Sequence, residues 1–178
     1  MKQIFYVILI ILLAGCNSNN NTTASDATIQ KVSERKIEST FPFSEAEKVE
    51  IISYTYPKYS DIANKDNYDI VNGKIAFNES IIIDRVLLDD KYTNALFNIL
   101  YTKSCPENYS VADCYRPAHR MIFYDKKHNI IAYLEVCLQC IGYRISPGFT
   151  KTEALCDTKM NELETFFKSV GIKHFTDF

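Results

Sequence analysis

The sequence has no tryptophan, five glycines and five prolines in 178 residues. With so little glycine and proline, a collagen-like chain is excluded. A basic excess is missing too. Lys and Arg number 20 against 22 Asp and Glu, a formal charge of −2. That balance excludes a general nucleic-acid binder, which needs a net positive surface to meet phosphates. No apolar run reaches the about 20 residues that a membrane-spanning helix requires. The GxSxG, Walker, HExxH and Rossmann fingerprints are all absent, so no enzyme class and no cofactor is indicated. The three histidines, His119, His128 and His174, are scattered along the chain.

What is present is aromatic and sulfur-rich. Twelve Tyr, eleven Phe and 47% hydrophobic residues suffice for one globular core and exclude a wholly disordered chain. Six cysteines are many for a reduced cytosolic protein and point to an oxidising compartment.

Lys2 precedes an apolar run from Ile4 to Ala14. As a helix this run rises about 16 Å, half of a bilayer core, and reads as the apolar region of a signal peptide. It ends in Leu13-Ala14-Gly15-Cys16, which resembles the bacterial lipobox. That resemblance implies cleavage after residue 15 and acylation of Cys16. Two or three acyl chains, at about 0.8 kcal/mol per buried CH₂, hold a protein on a membrane stably. Asn17 follows where an Asp would favour inner-membrane retention, and no acidic cluster follows Cys16 as a surface-display cue. The implied location is therefore the outer membrane, facing the periplasm. The membrane, reached through the lipid on Cys16, is the one partner implied.

Residues 16–43 open on Asn-Ser-Asn-Asn-Asn-Thr-Thr and read as a flexible tether. Residues 44–178 read as a single α+β domain, a mainly antiparallel sheet with two helices, stabilised by disulfides. Alternation predicts a strand over Lys48–Tyr56. Asn72-Gly73 predicts a hairpin turn, and Ser80–Leu88 reads as a buried strand. A helix is expected from Asp89 or Asp90 to about Lys103, its stripe being Tyr92, Leu96, Ile99 and Leu100. Arg120–Asp125 and Ile130–Cys137 form the clearest strand pair. The last element is a helix over Lys151–Val170, with Thr150-Lys151-Thr152-Glu153 as a capping box and Gly171 as its C-terminal glycine.

Cys156 shares a helical stripe with Met160, Leu163, Phe167 and Val170 and reads as a small core residue. Pairing Asp125 with Ile130 sets Arg120 opposite Glu135, Ala118 opposite Cys137 and Tyr115 opposite Cys140. Met121, Phe123, Ala132, Leu134 and Val136 then share the core face. Arg120, Glu135 and Cys137 lie on the other face.

Three readings of Cys105, Cys114, Cys137 and Cys140 stay open. The first is structural disulfides, with Cys105–Cys114, Cys137–Cys140 or a bridge from Cys114 to either of the latter. The second is redox chemistry at Cys137-Leu138-Gln139-Cys140. No helix start follows that motif, and Glu135 beside Cys137 would raise a thiol pKa rather than lower it. The third is a zinc-type set of Cys114, His119, Cys137 and Cys140, against which His119 falls on the core face. Glu135 is either a general base beside Cys137 or the partner of Arg120 in a cross-strand ion pair, worth at most about 1 kcal/mol if exposed.

The segments Cys114-Tyr115-Arg116-Pro117, Phe123-Tyr124-Asp125 and Glu135-Val136-Cys137-Leu138-Gln139-Cys140 resemble a set of small uncharacterised envelope lipoproteins. The resemblance implies a location but no activity. A basic residue expected at Ala118 is absent. The resulting expectation is a lipid-anchored, non-enzymatic binding or structural module, with an envelope thiol–disulfide protein as the alternative.

Overall fold

The computed structural model describes residues 37–55, 70–75, 79–106, 115–152 and 154–175. The strands are β1 (Lys48–Tyr54), β2 (Ile70–Val71), β3 (Lys74–Ile75), β4 (Ile82–Leu87), β5 (His119–Tyr124), β6 (Ile130–Cys137) and β7 (Gly142–Ile145). The helices are α1 (Asp90–Tyr101) and α2 (Asp157–Val170). Five strands form one sheet in the order β4-β1-β5-β6-β7, and every neighbouring pair is antiparallel. The architecture is α+β, as the sequence implies.

One sheet face carries Val49, Ile51, Met121, Phe123, Ala132, Leu134 and Val136. These pack with Leu96, Phe97 and Leu100 of α1 and Met160, Leu163 and Phe167 of α2 in a single core. Burying one such side chain contributes roughly 1.5–3 kcal/mol, so both helices are held by their apolar stripes more than by propensity. Asp89 caps α1, its carboxylate accepting from the Tyr92 amide at 2.8 Å. Asn72 and Gly73 both have positive φ, 52° and 70°, and join β2 to β3 in a two-residue turn.

The β5–β6 register places Arg120 opposite Glu135 and Phe123 opposite Ala132, then slips so that Tyr124 faces Ile130. The slip accommodates a turn in which the Asp125 carboxylate accepts the Lys127 and Asn129 amides, both at 2.8 Å.

Several expectations need correction. Phe43, read as the end of the tether, is 6% exposed and meets the Phe97 and Phe123 rings edge-on. The packed chain therefore reaches back into the stretch read as linker. The Ser80–Leu88 segment is not a buried strand. β4 is an edge strand, with Ile83 49% and Leu87 59% exposed. Helix α2 starts at Asp157, not at the Thr150 capping box, and its N-cap is Cys156. The residues before it are held otherwise. The Thr150 amide donates to the Phe41 carbonyl at 3.0 Å, and Thr152 and Leu155 are buried. Strand β7, Gly142–Ile145, adds a fifth strand that the sequence pattern does not mark. Gly171 does end α2, in the left-handed region at φ 106°.

Candidate functional site

Two polar clusters lie on opposite faces of the sheet. On the face away from the helices, the register aligns Arg85, Ile52, Arg120, Glu135 and Arg144 in one row across all five strands. The Glu135 carboxylate is its centre. Oε1 accepts from Arg120 at 2.6 Å and from the Tyr54 hydroxyl at 2.6 Å, and Oε2 accepts from the Tyr115 hydroxyl at 3.0 Å. Arg120 and Glu135 are each about 1% exposed, and the Arg120 guanidinium lies 5.0 Å from the Tyr133 ring centre. Burial works most strongly against the Arg120 charge, but the Glu135 carboxylate together with Tyr54 and Tyr133 outweighs it and holds the pKa above its ordinary value. Burial, with Glu135 adding to it, pushes the Tyr54 phenol well above the usual range.

The predicted ion pair thus exists, but it is buried, so the estimate for an exposed pair does not apply. With both its oxygens occupied by donors, Glu135 is a structural acceptor here rather than a base beside Cys137. The residues missed in the sequence are Tyr54 and Tyr115, which complete the acceptor's shell. Each sits on a different segment, and no local pattern ties them to Glu135.

Two disulfides are formed, Cys105–Cys156 and Cys137–Cys140. The first overturns the reading of Cys156 as a bare core residue and of Cys105 as a partner for Cys114. It ties the chain after α1 to the N-cap of α2, with the Cys156 amide 3.3 Å from the Cys105 sulfur. Nearby, buried Lys159 donates to the Leu100 carbonyl at 3.0 Å, a cation at the C-terminal end of α1.

The second bridge closes the turn between β6 and β7. Its sulfurs belong to residues only 1% and 3% exposed. Tyr115 does approach this turn, because a Cβ on Gly142 would stand 2.8 Å from its ring. Cys16 and Cys114 lie outside the described residues. The zinc-type set does not converge. Cys137 and Cys140 are bonded to each other, and His119 is on the other face among the rings of Phe167 and Phe175.

That other face holds the second cluster. Ser53 pairs with Asp84 on one side and His119 on the other. The composition suggests a nucleophile triad, but the connections differ. The Ser53 hydroxyl donates to Asp84 Oδ2 at 2.7 Å, and His119 Nε2 stands 3.0 Å from the His174 carbonyl. A triad needs the imidazole between hydroxyl and carboxylate, and here the hydroxyl bonds the carboxylate directly while the imidazole faces a backbone carbonyl.

Asp84 Oδ2 also accepts the amides of Lys173 at 3.0 Å and His174 at 2.8 Å. Its burial works upward on the carboxyl pKa, and the hydrogen bonds from Ser53 and the two amides outweigh it, leaving the pKa below the ordinary value. Among the described residues, no group of three His, Cys, Asp or Glu side chains is arranged to hold a metal, and no helix is long and apolar enough to cross a membrane. No known protein family, curated protein or solved structure matches the chain.

Proposed function

We propose that the chain is a lipid-anchored bacterial envelope protein whose α+β domain is a non-enzymatic binding or structural module. The observation that carries this reading is the pair of disulfides in the folded domain, with Cys137, Cys140 and Cys156 all under 4% exposed. Such bonds form and persist in oxidising compartments, and the apolar run ending at Cys16 supplies a route to one. The palmitate-type anchor, the outer membrane and the periplasmic orientation follow from the lipobox resemblance and Asn17. The thiol–disulfide alternative is the weaker one. A catalytic CxxC presents one reactive sulfur to its partner, and neither Cys137 nor Cys140 is open to solvent.

The test is mass spectrometry of the chain isolated from a bacterial host, with fractionation of a Cys16→Ser variant. An N-terminal peptide that begins at an acylated Cys16, and release of the variant from membranes, are the expected results. An unprocessed Met1 terminus, or a variant that stays membrane-bound, would overturn the reading.

A further inference from the structure

We propose that Lys173–Phe175 is an acid-released latch closing the end of the sheet where Ser53, Asp84 and His119 meet. The segment is held by two hooks from different strands. From β4, the Asp84 carboxylate accepts both the Lys173 and the His174 amide on one oxygen, at 3.0 and 2.8 Å. From β5, His119 Nε2 faces the His174 carbonyl at 3.0 Å. The acceptor there is a carbonyl, so the imidazole must carry its proton on that nitrogen. The His119 ring then lies between two phenyl rings, 5.2 Å from Phe167 of α2 and 5.0 Å from Phe175 of the latch itself.

Acid acts first through His119, because the charge taken up by so buried a ring is relieved when the latch leaves and water reaches it. Asp84, held below its ordinary pKa by these hydrogen bonds, keeps its acceptor capacity for the two amides until the pH is lower still. A protonated His119 is a cation 1% exposed between apolar rings, which is unfavourable unless a counter-charge meets it. The charged and titratable groups around it are Asp84 of β4, His174 of the latch, and Glu164 and Lys168 of α2. Lys168 lies 5.0 Å from the Phe175 ring centre, and Glu164 carries an ion pair with Lys168. Burial dominates. It lowers the His119 pKa to about 4, and the charge of the His174 ring adds to it, although the His174 carbonyl, Asp84 and Glu164 pull upward.

The release point is set by the backbone. Gly171 turns the chain out of α2 at φ 106°, and the Ile172 amide returns to the Phe167 carbonyl at 3.0 Å. Ile172, 2% exposed, is an anchor. The chain beyond it is held by the hooks and the Phe175 ring, and its departure bares His119, Phe167 and the Ser53–Asp84 pair. This inference does not depend on where the protein resides.

The test is an amide NMR titration of the full chain from pH 7.5 to 3.5, with far-UV circular dichroism alongside. The Lys173 and His174 amides are expected to move together with a midpoint between pH 4 and 6, while those of Ile51 and Leu134 hold still. His119→Gln retains a donor for the His174 carbonyl but does not titrate, and it should lower that midpoint by about one pH unit or more. Two results would overturn the proposal. One is tail amides that stay fixed until circular dichroism reports loss of the whole sheet. The other is an unchanged midpoint in His119→Gln.

Discussion

Glu135 and Tyr54 are hydrogen-bonded at 2.6 Å across the strand that separates theirs. The bond passes over β5, and the β5 residue beneath it, Arg120, donates to the same oxygen. Three strands of the sheet are therefore tied on one carboxylate. Buried ion pairs of this kind have a characteristic response to mutation. Removing one partner strands the other charge, which costs about 3–5 kcal/mol, whereas removing both can be nearly neutral. Glu135→Ala should lose that much stability in urea denaturation. Arg120→Met with Glu135→Leu should lose clearly less than the sum of the two single changes. Additive losses would show that the pair is not coupled.

The two disulfides should differ in weight. Cys105–Cys156 spans a sequence separation of 51 and Cys137–Cys140 a separation of 3. Chain-entropy arguments give about 4 kcal/mol for the longer loop and about 2 kcal/mol for the shorter. A Cys105→Ala, Cys156→Ala variant should show a larger fall in its urea midpoint than Cys137→Ala, Cys140→Ala. The reverse order would mean that native-state packing around the β6–β7 turn, rather than loop length, governs the second bridge.

The cysteine pairs also show what a sequence can and cannot carry. The β5–β6 register was legible because alternation along two adjacent strands leaves one register that buries Met121, Phe123, Leu134 and Val136 together. Once that is set, Arg120 must face Glu135. The partner of Cys105 was not legible. It depends on how α1 packs against α2, a contact between distant segments. The Asp84–His174 bond, between residues 90 apart, was hidden for the same reason. β4 misled because its Ile-Val-Leu content matches a central strand, and strand order is not written in local composition. β7 is not legible in the sequence because its four residues alternate weakly and none is fully buried.

Gly142 is the first residue of β7, and a methyl there would meet the Tyr115 ring at 2.8 and 3.3 Å. That ring cannot retreat without loosening its hydrogen bond to Glu135. Gly142→Ala should therefore destabilise the fold by about 1–3 kcal/mol, the usual range for a forced overlap. In a Tyr115→Ala background the same substitution should cost far less, since the obstructing ring is gone. Equal costs in both backgrounds would place the difficulty in the β7 backbone instead.

His119 makes stability depend on pH in a definite direction. Its pKa of about 4 in the folded chain lies below the ordinary 6.5, so the fold favours the neutral ring. The stabilisation is complete above pH 6.5 and is lost as the pH falls toward 4. A difference of that size corresponds to up to about 3 kcal/mol by pH 4. The loss stops growing where the tail opens, because a solvated His119 then binds its proton without further unfolding. The quantity to measure is the urea midpoint at pH 7 and at pH 4.5, for the unaltered chain and for His119→Gln. The unaltered chain should lose more stability on acidification than the variant, after the carboxylate losses common to both are subtracted. Parallel losses would mean that the imidazole reaches water in the folded chain, so that its burial between Phe167 and Phe175 opposes no charge.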